Sequence, residues 1–502
     1  MSVRLQGLCK LMIRESTRCR GSNFRLRPAA AFSLILLFSG CASTTSDDAV
    51  QDTQGERIGN LLVSGVPEIP KSLSERLRQY QNTRSAYLRG WVGDELLITT
   101  RFGETSQLHR LAEPMGAREQ ITFFAEPVTQ AAIPADDAAA GFVYARDVGG
   151  SEFFQLFMHD WASGRATMLS DGESRYSSVI WDRQEQRFAY TTTERNGRNW
   201  DIHIQDTAGN RTIALETESG AWSPEDFSAD GQRLLVGRYD SINESYAYEL
   251  TIASGALRPI LDEALKISVG QVAYAPDGRG VFFTSDLGAE FMRLHYKDLI
   301  SGDIDLLTGD VPWNVEEFVV SGNGRFLAYT SNEDGASRLS VLRLPERTPL
   351  ALPEIAAGMI STLRFSADGS QLAFSLNLPS APADVFSVNL TERELVRWTR
   401  SEVGGLDTRS FFSPELIAYP TFDEFEGRPR RIPAYIYRPE TPGPHPVLVL
   451  IHGGPEGQYR PRFSSTIQYL VRELGVAVIA PNVRGSAGYG KTYLKLDNGI
   501  LR

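Results

Sequence analysis

The feature that most restricts how this chain can fold is an apolar triplet that recurs with a nearly constant step. It reads Leu96-Leu97-Ile98, Phe142-Val143-Tyr144, Phe188-Ala189-Tyr190, Leu234-Leu235-Val236, Val281-Phe282-Phe283, Leu327-Ala328-Tyr329 and Leu372-Ala373-Phe374. The steps between first residues are 46, 46, 46, 47, 46 and 45. In the last four units a turn stands just ahead: Asp230-Gly231, Asp277-Gly278, Asn323-Gly324 and Asp368-Gly369. Such pairs supply the positive φ angles that a tight hairpin requires. Phe227, Tyr274, Val320 and Phe365 each precede their turn by three residues. A four-stranded unit of about 45 residues repeated around an axis is the pattern of a β-propeller blade. The repeat predicts an all-β, seven-bladed β-propeller. Ile417-Ala418-Tyr419 continues the step and leaves an eighth blade as the alternative. The proline-rich stretch 429–446 behind it favours the lead-in to another domain.

A propeller occupies only part of 502 residues, so at least two domains are expected. Hydrophobic content of 42% with 23% charged residues fits a globular protein. The formal charge of −11 argues against a nucleic-acid partner, which favours a basic face. The three cysteines, Cys9, Cys19 and Cys41, all precede the repeats, which excludes a disulfide framework there. No zinc or iron–sulfur ligand set is visible.

The first 41 residues have the character of a targeting segment. Arg25 and Arg27 precede the apolar run 29–38, broken only by Ser33 and too short to span a membrane. Ser39-Gly40-Cys41 resembles a bacterial lipobox, with Phe38 where leucine is usual. Residues 1–41 are therefore expected to be a lipoprotein signal peptide with Cys41 as the lipid attachment site. An ordinary secretory signal is the alternative, and Met12 competes with Met1 as the start. Ala42 after the cysteine resembles lipoproteins of the outer membrane, which implies a periplasm-facing protein anchored to the membrane by its lipid. A polar tether is expected over 42–60. A helix opens the propeller region, 61–410: Ser72 and Glu75 have capping-box spacing, and Leu73, Leu77 and Tyr80 share a face.

From Pro444 the pattern turns to α/β. Val447 to Ile451 reads as a strand buried on both faces. Phe463, Ile467, Leu470, Val471 and Leu474 follow at helical spacing, with Gly475 placed to end the helix. The run 476–480 is a second buried strand, and strand–helix–strand predicts a parallel crossover. The first strand enters His452-Gly453-Gly454-Pro455-Glu456-Gly457-Gln458. The second enters Pro481-Asn482-Val483-Arg484-Gly485-Ser486-Ala487-Gly488-Tyr489-Gly490. Ligands of α/β sheets bind beyond the carboxyl ends of strands, where these loops lie. Paired glycines let backbone N–H groups approach a substrate oxygen.

These two loops, in this order behind a propeller, resemble the prolyl oligopeptidase family of serine peptidases, in particular its acylaminoacyl-peptidase and dipeptidyl-peptidase-like branch. The resemblance extends over roughly 60–502 and is strongest over 444–502. It implies that 411–502 begins an α/β-hydrolase domain that this sequence leaves incomplete. It implies acyl-enzyme hydrolysis of short peptides without a metal or organic cofactor. His452, Gly453 and Gly454 match the oxyanion-hole loop, with histidine where relatives often carry tyrosine, so backbone donation is the expected role. Arg484 matches a substrate-pocket position, with a structural ion pair as the alternative. His445, among prolines, reads as a surface residue.

The nucleophile elbow of such hydrolases, Gly-x-Ser-x-Gly, occurs nowhere in the sequence. No histidine follows His452, so Ser464, Ser465 and Ser486 lack a downstream base and read as helix-start or loop residues. The 502-residue polypeptide is thus expected to be catalytically silent. Two rival classes remain open. The blades also resemble those of periplasmic TolB-type binding lipoproteins, and an α/β-hydrolase can equally be an esterase.

Overall fold

The computed structural model describes residues 56–134, 140–184, 186–454 and 456–498. The signal segment and Cys41 lie outside the described residues. The chain divides into a unit ending at Arg78 and a unit from Gln79 onward. In the first, the end of the expected tether already pairs as a hairpin, Glu56–Ile58 with Leu61–Val63. The leading helix runs Lys71–Gln81, two residues earlier than the capping-box spacing suggests. Pro70 takes over the start: its carbonyl accepts from Leu73 and Ser74 N–H, and Ser72 falls inside the first turn.

The second unit contains seven four-stranded antiparallel sheets, each with its strands in chain order. Their first strands are Tyr87–Val92, Gln130–Ala132, Tyr176–Trp181, Ala221–Phe227, Val269–Tyr274, Asn314–Val320 and Met359–Phe365. Consecutive first strands touch one another, and the seventh touches the first, so they form the inner wall of a closed ring. Closure rests on named bonds. Ala86 N–H donates to Ala383 O (2.8 Å), Leu88 N–H to Ser375 Oγ (2.8 Å) and Trp91 Nε1 to Arg364 O (3.0 Å).

Every triplet lies on the second strand of its sheet, and the packing explains why all three residues are apolar. Side chains alternate across a strand, so the outer two face one neighbouring sheet and the middle one faces the other. Phe142 and Tyr144 pack with Leu97 of the preceding sheet, while Val143 packs with Phe188 and Tyr190 of the next. The same division holds round to Ala373, which packs against Leu96 and Ile98 and completes the circle. Fully burying such a side chain contributes about 1.5–3 kcal/mol, so the repeat is a run of two-sided cores.

The turns differ from the expectation in one respect. Only the glycine takes positive φ, between 65° and 71° at Gly231, Gly278, Gly324 and Gly369. Each glycine N–H bonds back three residues, to Ser228, Ala275, Ser321 or Ser366. The Asp or Asn before it serves by its side chain. Its Oδ1 accepts from the N–H two residues on, at 2.9–3.0 Å in all four. The preference is for a side-chain acceptor followed by a left-handed glycine in a type I turn.

Behind the ring comes a sheet of a different kind. β1 (Glu415–Phe425) and β2 (Arg428–Tyr437) form a hairpin; β3 (Val447–Val449), α1 (Ser465–Glu473) and β4 (Ala477–Pro481) follow. The order is β1-β2-β4-β3, with β3 and β4 parallel, so the expected crossover is present. Ile417-Ala418-Tyr419 lies on β1, at the edge of this mixed sheet. Ser464 caps α1 through its Oγ, which accepts from Ile467 N–H at 3.3 Å, and Gly475 (φ 61°) ends it. β4 is buried, as its sequence suggests. β3 is not buried on both faces. It is an edge strand of three residues, and Val447, Val449 and Ile451 are 62%, 54% and 71% exposed. Among the described residues only β4 flanks β3, so the apolar run has one neighbour where its composition suits two.

Candidate functional site

The loops after β3 and β4 leave the same end of adjacent parallel strands. His452 joins them: its Nε2 lies 2.8 Å from Ser486 Oγ, and its Nδ1 faces Gly453 O at 3.1 Å. Ser486, fully buried, donates to Val483 O at 2.6 Å. The imidazole is thus engaged in stitching one loop to the other. Gly453 and Gly454 are exposed, and among the described residues no acceptor meets their N–H groups.

Asn482, the first residue after β4, is fully buried and is the other clasp. Its Oδ1 accepts from Tyr459 N–H (2.7 Å), while its Nδ2 donates to Tyr459 O (3.2 Å) and Tyr489 Oη (2.9 Å). Sequence reasoning passed over Asn482. The available signal was a polar side chain directly at the end of a buried strand, which must find partners for every polar atom. Gly488 and Gly490 have no alternative residue. Both hold φ near 90°, and a Cβ would meet the Gln458 amide at 2.6 Å or the Glu290 carboxylate at 2.7 Å.

Arg484 points to the hairpin. Its Nε lies 3.6 Å from Asp423 Oδ2, and its guanidinium stacks on Phe422, 4.9 Å from the ring centre. Asp423 also accepts from Arg430 Nε at 2.8 Å. The Arg430 hydrogen bond outweighs a desolvation cost, and with both arginines' charges it holds the Asp423 carboxyl below the usual range. His445 packs near the surface, its Nε2 facing Thr441 O at 2.9 Å. Ser464 and Ser465 are at the start of α1.

The ring grips both loops from its fifth, sixth and seventh sheets. Arg460 donates to Glu316 (2.8 Å), Gly335 O (2.7 Å) and Ser337 Oγ (2.9 Å). Asn332 Nδ2 donates to Gln458 Oε1 (2.7 Å), and Asn377 Oδ1 accepts from Phe463 N–H (3.0 Å). On the second loop Lys491 pairs with the nearly buried Asp286 at 2.5 Å, and Glu290 accepts from Thr492 Oγ1 at 3.0 Å. The loops therefore lie over the face of the ring from which the first strands start. No group of three metal-ligating side chains exists among the described residues, nor a helix long and apolar enough to cross a membrane.

A ring of four-stranded sheets feeding a parallel strand pair is the fold of prolyl oligopeptidase-type peptidases. Comparison with known proteins bears on this directly. No family model matches the chain. The dipeptidyl aminopeptidase BIII of Pseudoxanthomonas mexicana is 24% identical over 71% of this chain and 53% of its own length. A solved prolyl endopeptidase superposes with a TM-score of 0.72 at 15% identity, over 85% of this chain and 65% of that one. Prolyl oligopeptidase B from Galerina marginata gives 0.70 at 15% identity, over 85% and 65%. The chain thus shares the fold of solved prolyl oligopeptidase-type peptidases and is similar in sequence to a dipeptidyl aminopeptidase. It spans about half the length of that aminopeptidase.

Proposed function

We propose that this chain is the propeller and opening hydrolase segment of a serine-type peptidase acting on short peptides. The observation that carries the reading is the loop pair at the ends of β3 and β4, clasped by His452–Ser486 and Asn482 and held over the ring. In this reading the seven sheets are seven blades, and the mixed sheet begins an α/β-hydrolase domain. The exposed apolar edge of β3 supports that assignment, because a parallel strand of this composition suits a neighbour on each side. The ring admits peptides and turns away folded proteins. Gly453 and Gly454 N–H stabilise the oxyanion, since the His452 ring is engaged elsewhere. Arg484 shapes the pocket rim through its pairing with Asp423. No metal or organic cofactor takes part.

In this reading the nucleophile, acid and base are residues other than these 502, in which no Gly-x-Ser-x-Gly occurs. The resemblance of Ser39-Gly40-Cys41 to a lipobox supports a mature protein anchored at the bacterial envelope through Cys41. The test is a pair of substrates offered to the polypeptide translated from the extended reading frame: a proline-containing peptide amide and a simple ester. Turnover of the amide is expected, together with a fluorophosphonate-labelled serine that the 502-residue chain lacks. Cleavage of the ester alone makes the protein an esterase. Turnover of neither leaves a binding platform.

A further inference from the structure

The inner wall of the ring carries a repeated irregularity. Six of the seven first strands break register with their second strand near their start. The breaks fall between Leu88 and Gly90, Ser177 and Ile180, Pro224 and Asp226, Val269 and Val272, Val315 and Glu317, and Ser361 and Arg364. A bulge re-aims side chains, and equivalent bulges in a ring put them at one level. One of them, Glu316, already holds Arg460 of the first loop, which places this level just beneath the candidate site.

Arg89 is the bulged residue of the first sheet. Its Nε donates to Thr99 Oγ1 at 2.6 Å, and among the described residues no carboxylate pairs with it and nothing accepts from its two terminal nitrogens. Burial, with the nearby Arg364 charge, pushes its guanidinium down to about 10. Arg364 itself has Glu317 at 4.0 Å, so the uncompensated positive charge belongs to Arg89. Beside Arg89 is a cavity of about 220 Å³, lined by Gln130, Ser177, Ser178 and Tyr144 and otherwise by apolar residues. Ser178 holds a φ of 56°, a left-handed strain that a non-glycine residue adopts only when its surroundings impose it. A desolvated, unpaired cation costs stability. Its retention next to a cavity and a strained serine marks a binding place for an anion.

We propose that Arg89, with Gln130, Ser177 and Ser178, forms a subsite that takes the terminal carboxylate of a short peptide. With Nε engaged, the two terminal nitrogens present the parallel N–H pair that grips a carboxylate bidentately. One positive charge ringed by neutral hydrogen-bonding groups matches a monoanion. The cavity, the volume of about seven waters, holds the end of a peptide and no more. The carboxylate chemistry follows from Arg89 alone; that it ends a peptide rests on the peptidase reading.

The test is calorimetric titration of the 502-residue chain with trialanine, trialanine amide, and an acetylated Ala-Ala-Glu amide whose only carboxylate is a side chain. Trialanine is expected to bind at least about tenfold more tightly than its amide, a difference of about 1.4 kcal/mol. Arg89→Gln lowers trialanine to the level of the amide, and Arg89→Lys, which keeps the charge but loses the fork, recovers part of the difference. Equal affinity of acid and amide for the unaltered chain overturns the subsite, whatever the variants do. An unchanged affinity in folded Arg89→Gln also overturns it. Equal binding of the glutamate peptide overturns the assignment to a peptide terminus. The titration records binding without turnover, so failure of the peptidase assay and failure of this subsite are separate results.

Discussion

The ring and the mixed sheet are built from the same material, short apolar strands, and use it in opposite ways. In the ring each apolar strand lies between two sheets, and all seven triplets are buried to within a few percent, with Tyr329 the most accessible at 8%. In the mixed sheet β4 is treated alike, but β3, paired beside it over three residues, shows much of its apolar surface. The ring satisfies itself by closing. The mixed sheet is held from one side by the ring and keeps an open edge, the kind of surface that pairs with further strands. The loops of chemical interest grow from the less satisfied element, positioned by the more rigid one.

The sharpest way to break this contrast is to truncate one side chain in each region. Phe283, fully buried and stacked on His295 at 5.1 Å, is expected to cost about 3–5 kcal/mol as Phe283→Ala in urea unfolding. Val449→Ala on β3 is expected to stay within about 0.5 kcal/mol. Comparable losses at the two sites mean that the β3 edge is covered in solution.

The same contrast explains what the sequence discloses. A triplet buried on both faces is apolar at every position, so the ring is legible from periodicity alone. The run at Val447–Ile451 carries the identical signal, but composition records what a strand is suited to and is silent on which neighbours flank it. The bulges that lift Arg89 and Glu316 into the axial space have no local signature, because they arise from register between two strands. His452 was legible as a loop residue following a strand. Its engagement with Ser486, 34 residues on, is tertiary. The ion pair of Arg484 was open as an alternative, while its partner Asp423 lies on a hairpin that turn chemistry does not reveal.

A smaller loss is expected where the ring grips the second loop. Asp286 is 6% exposed in its side chain and Lys491 23%. Removing one partner of a pair this far desolvated strands the other. Asp286→Asn is expected to cost about 1–3 kcal/mol, with limited proteolysis cutting first around 484–498 while the ring stays intact. Cleavage inside the ring at equal rate means that the two regions open together.

Acid sharpens the comparison further, because four of the six histidines, His109, His159, His203 and His295, are buried on third strands of the ring. Burial pushes each of them below the ordinary imidazole value. The unfolded chain therefore binds more protons than the ring as pH falls below about 6.5, and stability is full above that value and declines beneath it. The urea midpoint is expected to fall between about pH 7.5 and about pH 5.5, and less so in a His109→Gln, His203→Gln variant. An unchanged slope in the variant places the acid sensitivity elsewhere.

The smallest effect belongs to the stitch between the two loops. His452→Ala and Ser486→Ala each remove one end of a half-buried hydrogen bond, and a double-mutant cycle isolates the bond itself. A coupling of about 0.5–1.5 kcal/mol is expected. The single losses should be unequal, with Ser486→Ala the larger. Ser486 is fully buried and its hydroxyl also donates to Val483 O, so its removal loses two hydrogen bonds at once, although Val483 O keeps the one from Ser486 N–H. His452 is only half-buried, and water can replace its ring at Ser486. A coupling near zero means that the loops are held by Asn482 and by Ala487 N–H, which donates to Gly457 O at 3.1 Å, without help from the imidazole. The imidazole is then free to turn toward a substrate oxygen, which returns to His452 the side-chain role that the stitch now denies it.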